Sequence, residues 1–185
     1  MLELARELSG LKGERYMGAE IAELLWCREL AEGSREPLRV LSDRHGVLVV
    51  EVRGSAETLK VTMLLRQPGH QGTASAMGNG SLISEEIKEH AIWHVFSKQE
   101  ISEFVEKAGD RNPLHQGAHP IVPGLLLLER LLGDAAFRGC GRMQLRFRHP
   151  AFAEEPLWVV PMAKENFRIF SQREILCEGC VATCR

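Results

Sequence analysis

The stretch GDRNPLHQGAHPIVPGLLLLER, from Gly109 to Arg130, decides how the rest of the chain can be arranged. Its first half carries an acid, an amide and two histidines, and its second half is an almost unbroken run of leucine. Pro113, Pro120 and Pro123 restrict the backbone before the leucines. The leucine run is apolar on all sides, so a helix formed by it must be buried on most faces. The sequence therefore places ionisable groups directly at the start of a buried helix.

The elements on either side of this stretch follow from periodicity and capping. Pro123 suits the first position of a helix, which we predict over residues 123–137. Upstream, a short strand precedes Ser97 and Glu100, which form a capping box. Apolar residues then recur at helical spacing as far as Gly109, so a short amphipathic helix ends there. Asp110 consequently stands at the exit of that helix.

Four segments after the leucine helix indicate strands: residues 143–152, 157–165, 167–174 and 175–184. The order of elements is then strand, helix, loop, buried helix and several strands. A long helix wrapped by an antiparallel sheet buries this order most economically, so the fold class is α+β.

The first part of the chain resembles a shorter version of the same order. We predict a helix over residues 17–33 and strands over 46–54 and 57–66, with GSAE as the hairpin turn between them. Residues 67–82 hold four glycines, which suits a loop. This loop divides the chain into an N-terminal α+β region, 1–82, and a C-terminal domain, 83–185. The N-terminal region is a candidate for a reduced copy of the C-terminal unit.

Composition excludes several kinds of partner. The formal net charge is -2, no long basic run occurs and aromatics make up 6%, so nucleic acid is not expected as a partner. No apolar segment approaches the roughly 18 residues needed to cross a membrane, so no membrane partner is expected. The N-terminal MLELARELSG lacks the basic start and apolar core of a signal peptide, and we expect a cytoplasmic protein.

Five cysteines occur, three of them in the C-terminal CEGCVATC. The odd number and the expected reducing compartment argue against a disulfide framework. The cluster fits either a metal site or a terminal strand that carries small apolar thiols. Three thiolates with no fourth ligand nearby form a weak metal pattern, so we expect the strand and no bound metal. The five are Cys27, Cys140, Cys177, Cys180 and Cys184.

The ionisable groups of the opening stretch suit acid–base chemistry. His115 can take or give a proton near neutral pH, Asp110 can orient a water, and Asn112 can fix the geometry without titrating. The start of the leucine helix presents free backbone N–H groups, and Gly124 lets a substrate carbonyl approach them closely. Such donors stabilise an enolate. The set suits proton abstraction next to a thioester carbonyl, and it requires no metal or organic cofactor.

Two motifs here resemble known families. GDRNPLH resembles the D-x-N-P-[LI]-H signature of MaoC-like dehydratases and (R)-specific enoyl-CoA hydratases. PIVPGLLLLE resembles the helix start of FabZ-type 3-hydroxyacyl-ACP dehydratases, and LRFRHPAF resembles the strand that follows it. His115 ends the first signature and also lies fourteen residues before Glu129, which is similar to the FabZ spacing. The resemblance covers about residues 92–185. It implies the hotdog fold, a long central helix wrapped by a curved antiparallel sheet.

The resemblance implies a role for each site residue. Asp110 and His115 would hold and activate a water, and Asn112 would orient them. Gly124, preceded by Pro123, would offer its N–H to the thioester oxygen at the start of the substrate-binding helix. In FabZ-type enzymes the acid comes from the helix, which makes Glu129 the alternative to Asp110. We favour Asp110, because the complete signature surrounds it.

The implied activity is reversible hydration of a trans-2-enoyl thioester, or dehydration of the (R)-3-hydroxyacyl thioester, in fatty acid metabolism. The carrier would be CoA or ACP, no cofactor is needed, and the resemblance implies a homodimer. The chain departs from the family in having only seven residues between His115 and Pro123, and PG where HG is common. Two alternatives stay open: a hotdog acyl-CoA thioesterase, and a non-catalytic acyl-binding or partner subunit.

Overall fold

The computed structural model describes residues 1–11, 13–28, 36–65 and 85–183. The helices in these ranges include α1 (Leu2–Leu8), α2 (Lys98–Ala108) and α3 (Gly124–Gly133). The strands are β1 (Glu20–Cys27), β2 (Leu38–Arg44), β3 (Val47–Arg53), β4 (Thr58–Leu64), β5 (His94–Val95), β6 (Cys140–Phe147), β7 (Pro156–Pro161), β8 (Asn166–Phe170) and β9 (Ile175–Thr183). They form one antiparallel sheet in the order β2-β3-β4-β1-β6-β9-β8-β7-β5.

The helix predicted before the leucine run and the strands predicted after it are confirmed. Ser97 caps α2 by accepting a hydrogen bond from the N–H of Glu100, at 3.1 Å, and Gly109 ends the helix in the left-handed region at φ 69°. The Glu100 carboxylate does not complete a capping box, because it pairs with His94 and Arg130. All four strands predicted after the leucine helix are present as β6 to β9. In the first part, β3 and β4 form the predicted hairpin, closed by the N–H of Gly54 on the Glu57 carbonyl.

The prediction of a helix over residues 17–33 is wrong, because β1 occupies Glu20–Cys27. This strand lies between β4 and β6 and is paired on both sides. Leu24 and Trp26, two positions apart, are both buried, which is the periodicity of a strand. A central place in the sheet has therefore overridden the helical spacing of the apolar residues. The predicted residues from 29 onward lie outside the described ranges, and β2 was not predicted.

The leucine helix is shorter than predicted. It ends at Gly133, and Asp134 leaves the helical region at ψ 142°. The Asp134 side chain accepts a hydrogen bond from the N–H of Ala136 and starts a separate 3-10 turn over Ala135–Phe137. Aspartate favours this local bond over a helix interior. Leu125 to Leu128 are all buried, as expected for a helix covered on most faces.

The two parts of the chain share one sheet and one core. β1 pairs with β6, with Leu24 opposite Leu145. One cluster of buried side chains includes residues of β1, β3 and β4 together with those of α2, α3 and β6. The predicted loop at 67–82, with the division at 82, lies outside the described residues. No described helix is long and apolar enough to cross a membrane.

Candidate active site

The loop between α2 and α3 carries the ionisable residues singled out in the sequence. Its first turn is fixed by the end of α2, where the N–H of Asp110 bonds to the Val105 carbonyl at 3.0 Å. A 3-10 turn over Pro113–His115 follows. Farther on, the N–H of Ile121 bonds back to the Leu114 carbonyl at 2.8 Å. The loop is thus held at both ends by its own backbone.

Asp110 and His115 face each other across this loop. One carboxylate oxygen of Asp110 accepts a hydrogen bond from the backbone N–H of Asn112 at 2.8 Å. The other, Oδ2, lies 3.6 Å from Nε2 of His115. The Asp110 side chain is 29% exposed and that of His115 only 11%. The acid therefore stays within reach of solvent while the imidazole is largely enclosed.

The hydrogen bond made by Nδ1 determines the tautomer of His115. Nδ1 lies 2.8 Å from the carbonyl oxygen of Ile121. A carbonyl oxygen only accepts, so Nδ1 carries the proton and donates it. In the neutral ring Nε2 then has its lone pair free, and it is this atom that faces Asp110. Position, orientation and tautomer together suit a group that exchanges a proton through Nε2.

The Asn112 side chain makes two hydrogen bonds to the backbone. Its Oδ1 accepts a hydrogen bond from the N–H of Leu114 at 3.2 Å, and its Nδ2 donates to the Ala19 carbonyl at 2.9 Å. Ala19 immediately precedes β1, so this bond ties the loop to the N-terminal part of the chain. The side chain shapes and anchors the loop, while the backbone N–H of Asn112 holds Asp110.

We expect Asn112→Asp to lower the free energy of unfolding by about 1–3 kcal/mol, because a partly buried donor is replaced by an oxygen that faces the Ala19 carbonyl. Urea unfolding measures the change. The matched control is Asn166→Asp, since the amide of Asn166 also donates to a carbonyl, that of Ala163, but is exposed. Equal losses in the two variants would contradict an anchoring role of Asn112.

The start of α3 is closely packed around Gly124. Pro123 is buried and stands at the N-cap, one position before the one predicted, with its carbonyl accepting from the N–H of Leu127. A Cβ added to Gly124 would lie 3.2 Å from Cζ of Phe147 and 3.4 Å from Cδ1 of Ile21. The N–H groups of the first helical turn have no partner within a helix. Glycine therefore allows the helix start to pack closely against Phe147 of β6 and Ile21 of β1.

A cavity of about 950 Å³ joins these features. Asp110, His115 and Gly124 line it, so a carboxylate, an imidazole and the helix start share one space. Neither Glu129, the alternative acid, nor His119 is among the described residues that line it. Glu129 is half-buried on α3, and His119 is exposed on the loop. The geometry therefore favours Asp110 over Glu129 as the acid.

The N-terminal part supplies much of the cavity wall, which sequence reasoning missed. These lining residues share a position on or beside α1, β1 and β4. They are Ala5, Leu8, Ser9, Leu11, Gly13, Glu14, Tyr16, Met17, Ala19, Glu20, Ile21, Ala22, Met63 and Leu64. No motif marks them, because their place at the cavity depends on the pairing of β1 with β6.

The C-terminal cysteines separate onto the two faces of β9. Cys177 is buried and Cys180 is exposed, as odd spacing on a strand requires. Within the described residues, no group of three His, Cys, Asp or Glu side chains is placed to hold a metal. Cys184 lies outside those residues. Burial raises the pKa of the Cys177 thiol to about 12.

Iodoacetamide at pH 8 is expected to alkylate Cys180 and to leave Cys177 unmodified in the folded protein. The thiolate is the reacting form, and with a pKa of about 12 only roughly one Cys177 thiol in 10,000 is ionised at that pH. Peptide mass spectrometry measures both sites. Labelling in urea is the control, where both should react, and equal rates in the folded protein would refute the assignment.

Comparison with known proteins gives similarity in structure alone. No protein-family model matches the sequence, and no curated protein matches it. HtdX of Mycobacterium tuberculosis superimposes with a TM-score of 0.62 at 15% identity, over 99% of this chain and 84% of that one. A MaoC-like dehydratase of Phytophthora capsici gives a TM-score of 0.51 at 13% identity, over 94% and 72%.

A third solved structure is larger than this chain. Full-length peroxisomal multifunctional enzyme type 2 of Drosophila melanogaster gives a TM-score of 0.54 at 15% identity, over 98% of this chain and 40% of that one. At these identities the similarity establishes the fold. The chain has the hotdog fold, as the sequence resemblance predicted.

Proposed function

We propose that this hotdog-fold chain is a MaoC-like hydro-lyase that hydrates trans-2-enoyl thioesters and dehydrates 3-hydroxyacyl thioesters. The observation that carries the proposal is the pairing of Asp110 Oδ2 with His115 Nε2 at 3.6 Å, in a cavity that also contains the start of α3. The D-x-N-P-L-H signature supports it, since it encloses the same two residues. One structurally similar protein is named a MaoC-like dehydratase, which agrees with this assignment.

Asp110 and His115 would together hold one proton before and after the reaction, on His115 before hydration and on Asp110 after it. In hydration, the Asp110 carboxylate takes a proton from water as the water oxygen adds to C3 of the enoyl group. The protonated His115 gives its Nε2 proton to C2. Asp110 is then protonated and His115 neutral, which is the form that dehydration requires. One proton transfer between the two side chains, 3.6 Å apart, restores the starting form.

During the reaction, negative charge would develop on the thioester oxygen. Adding a nucleophile at C3, or removing the proton at C2, gives an enolate-like oxygen that needs hydrogen-bond donors. The N–H of Gly124 and the positive end of the α3 dipole would supply them, and Pro123 sets the direction of this turn. Because glycine has no side chain, the thioester could approach the N–H directly.

The test is a hydration assay on the purified protein with crotonyl-CoA, followed by loss of the enoyl absorbance. We expect consumption of the substrate without release of free thiol. Release of free thiol would identify a thioesterase instead. If neither signal appears with short or medium acyl chains on either CoA or ACP, the result would favour the alternative of a non-catalytic acyl-binding or partner subunit. Chiral analysis of the product tests the proposed (R) configuration.

The assembly of the protein and its compartment stay predictions. The pairing of β1 with β6 already joins the N-terminal and C-terminal parts within one chain. If the N-terminal part is a reduced hotdog, one chain could supply by itself the pair that two single hotdogs form; otherwise we expect a homodimer. The homodimer and the cytoplasmic location rest on the sequence resemblance and on the expected absence of a signal peptide.

A further inference from the structure

Residues 151–154, between β6 and β7, form a loop that is hydrogen-bonded to the exit of the catalytic loop. We propose, on the basis of the hydro-lyase function above, that this 151–154 loop positions the imidazole of His115 and that Ala153 is its positioning residue. The loop acts through the backbone of Ile121, whose carbonyl oxygen lies 2.8 Å from Nδ1 of His115.

Two backbone hydrogen bonds join the 151–154 loop to the segment that precedes α3. The N–H of Val122 donates to the Ala151 carbonyl at 2.8 Å, and the N–H of Ala153 donates to the Pro120 carbonyl at 3.0 Å. The two bonds lie on either side of an antiparallel bridge between residues 121 and 152. Residues 120–122 are thus held extended against the loop, as one strand is held against another.

This pairing decides which way the Ile121 carbonyl points. In a paired extended chain, the polar groups of successive residues point to opposite sides. Pro120 and Val122 are bonded on one side, so both polar groups of Ile121 face the other side, where the catalytic loop lies. There its N–H donates to the Leu114 carbonyl at 2.8 Å, and its carbonyl accepts from Nδ1 of His115.

The tautomer of His115 depends on that carbonyl. The partner of one ring nitrogen of a neutral imidazole selects which nitrogen carries the proton. With a carbonyl at Nδ1, the lone pair of Nε2 is free and faces Asp110. If the Ile121 carbonyl turned away, Nε2 could carry the proton and donate it to Asp110. In that form Nε2 could not take the proton from C2 during dehydration.

Helix α2 holds the 151–154 loop and Asp110 at its two ends. At its start, the N–H of Glu154 donates to the carbonyl of the buried Phe96 at 2.8 Å, and Phe96 directly precedes the N-cap Ser97. At its end, the N–H of Asp110 bonds to the Val105 carbonyl. The orientation of the imidazole and the place of the carboxylate are therefore both referred to one helix of 11 residues.

The test compares two proline variants of this loop by nitrogen NMR of the imidazole rings. Ala153→Pro removes the N–H that bonds to Pro120. Phe152→Pro is the matched control, because the N–H of Phe152 points away from residues 120–122, toward the Glu155 carboxylate at 3.5 Å. We expect the Nδ1–H form of His115 in the parent and in Phe152→Pro, and a mixture with the Nε2–H form in Ala153→Pro. His115→Ala identifies the signal.

The same variants are compared in hydration of crotonyl-CoA. Ala153→Pro should lower kcat by up to about 100-fold, the cost of a slightly misplaced catalytic group, and should leave KM near that of the parent. Phe152→Pro should keep both constants. A loop that served stability alone would lower the melting temperature in both variants and leave the tautomer unchanged.

Three results would overturn the assignment: an unchanged tautomer in Ala153→Pro, an equal change in Phe152→Pro, or a parent protein without the Nδ1–H form. If Ala153→Pro does not fold, lactic acid in place of Ala153 removes the same N–H and keeps the shape of the chain. Because the tautomer is measured without substrate, a shifted tautomer in a protein that does not hydrate would reject the hydro-lyase and retain the positioning role. Hydration by the parent with an unshifted tautomer in Ala153→Pro would do the reverse.

Discussion

His115→Ala should lower the rate of crotonyl-CoA hydration by about 10²–10⁴-fold, the usual contribution of a positioned acid–base group. The variant lacks the Nε2 atom that faces Asp110, and no other described imidazole lines the cavity except that of His149. His149 is already paired with Glu174, at 3.1 Å, and we do not expect it to replace His115. The rate is followed by loss of the enoyl absorbance at saturating substrate.

Asp110→Asn should cause a loss of the same order while leaving the loop intact. The amide oxygen of asparagine can still accept the hydrogen bond from the Asn112 N–H, but it cannot take a proton from water. Activity should therefore fall without a matching fall in stability. Urea unfolding of the two variants separates lost chemistry from lost structure.

Two further variants test whether the loss of activity is specific to His115 and Asp110. His119→Ala removes an exposed imidazole from the same loop and should keep the parent rate. Glu129→Gln tests the alternative acid on α3, which does not line the cavity in the described part of the chain. If Glu129→Gln lost the activity and Asp110→Asn kept it, the acid would belong to the helix and the proposed pair would be wrong.

Gly179→Ala should lower the free energy of unfolding by about 3 kcal/mol or more, the upper range for overpacking a core. A Cβ added to Gly179 would lie 2.0 Å from Cζ of Phe167, which is the residue opposite it on β8. The ring has little room to move, because it is buried and packs on Phe137 at a centroid distance of 4.8 Å. Urea unfolding gives the size of the loss.

Two comparisons separate steric conflict from a general effect of removing glycine. Gly133→Ala makes the same change at the end of α3, where no atom lies within 4 Å, and should stabilise by about 0.4–1 kcal/mol. The double variant Gly179→Ala, Phe167→Ala should be less destabilised than the sum of the single variants, because the alanine then has space. Additive losses would mean that the ring is not the cause.

The sequence by itself determined those elements whose caps and apolar repeats lie within a short stretch of the chain. The Ser97 cap, the apolar repeat of α2 and Gly109 predict one helix correctly at both ends, because caps and periodicity act within a turn. The strands after α3 are alternating or β-branched and are equally self-contained. The same locality holds in the catalytic loop, where Asp110 and His115 come within 3.6 Å. That these two residues are catalytic stays a prediction.

The tertiary structure decided those features that depend on contacts between residues far apart in the sequence. The apolar residues around Leu24 fit a helix as well as a strand, and pairing with both β4 and β6 selects the strand. The bond from Asn112 to Ala19 spans 93 residues, and the place of Tyr16 at the cavity depends on the same pairing. Periodicity indicates which face of a helix or strand is apolar, but it does not indicate which other element packs against that face. The sequence alone therefore determined which ionisable groups the loop carries, while the contact between the two parts of the chain decided the cavity around them.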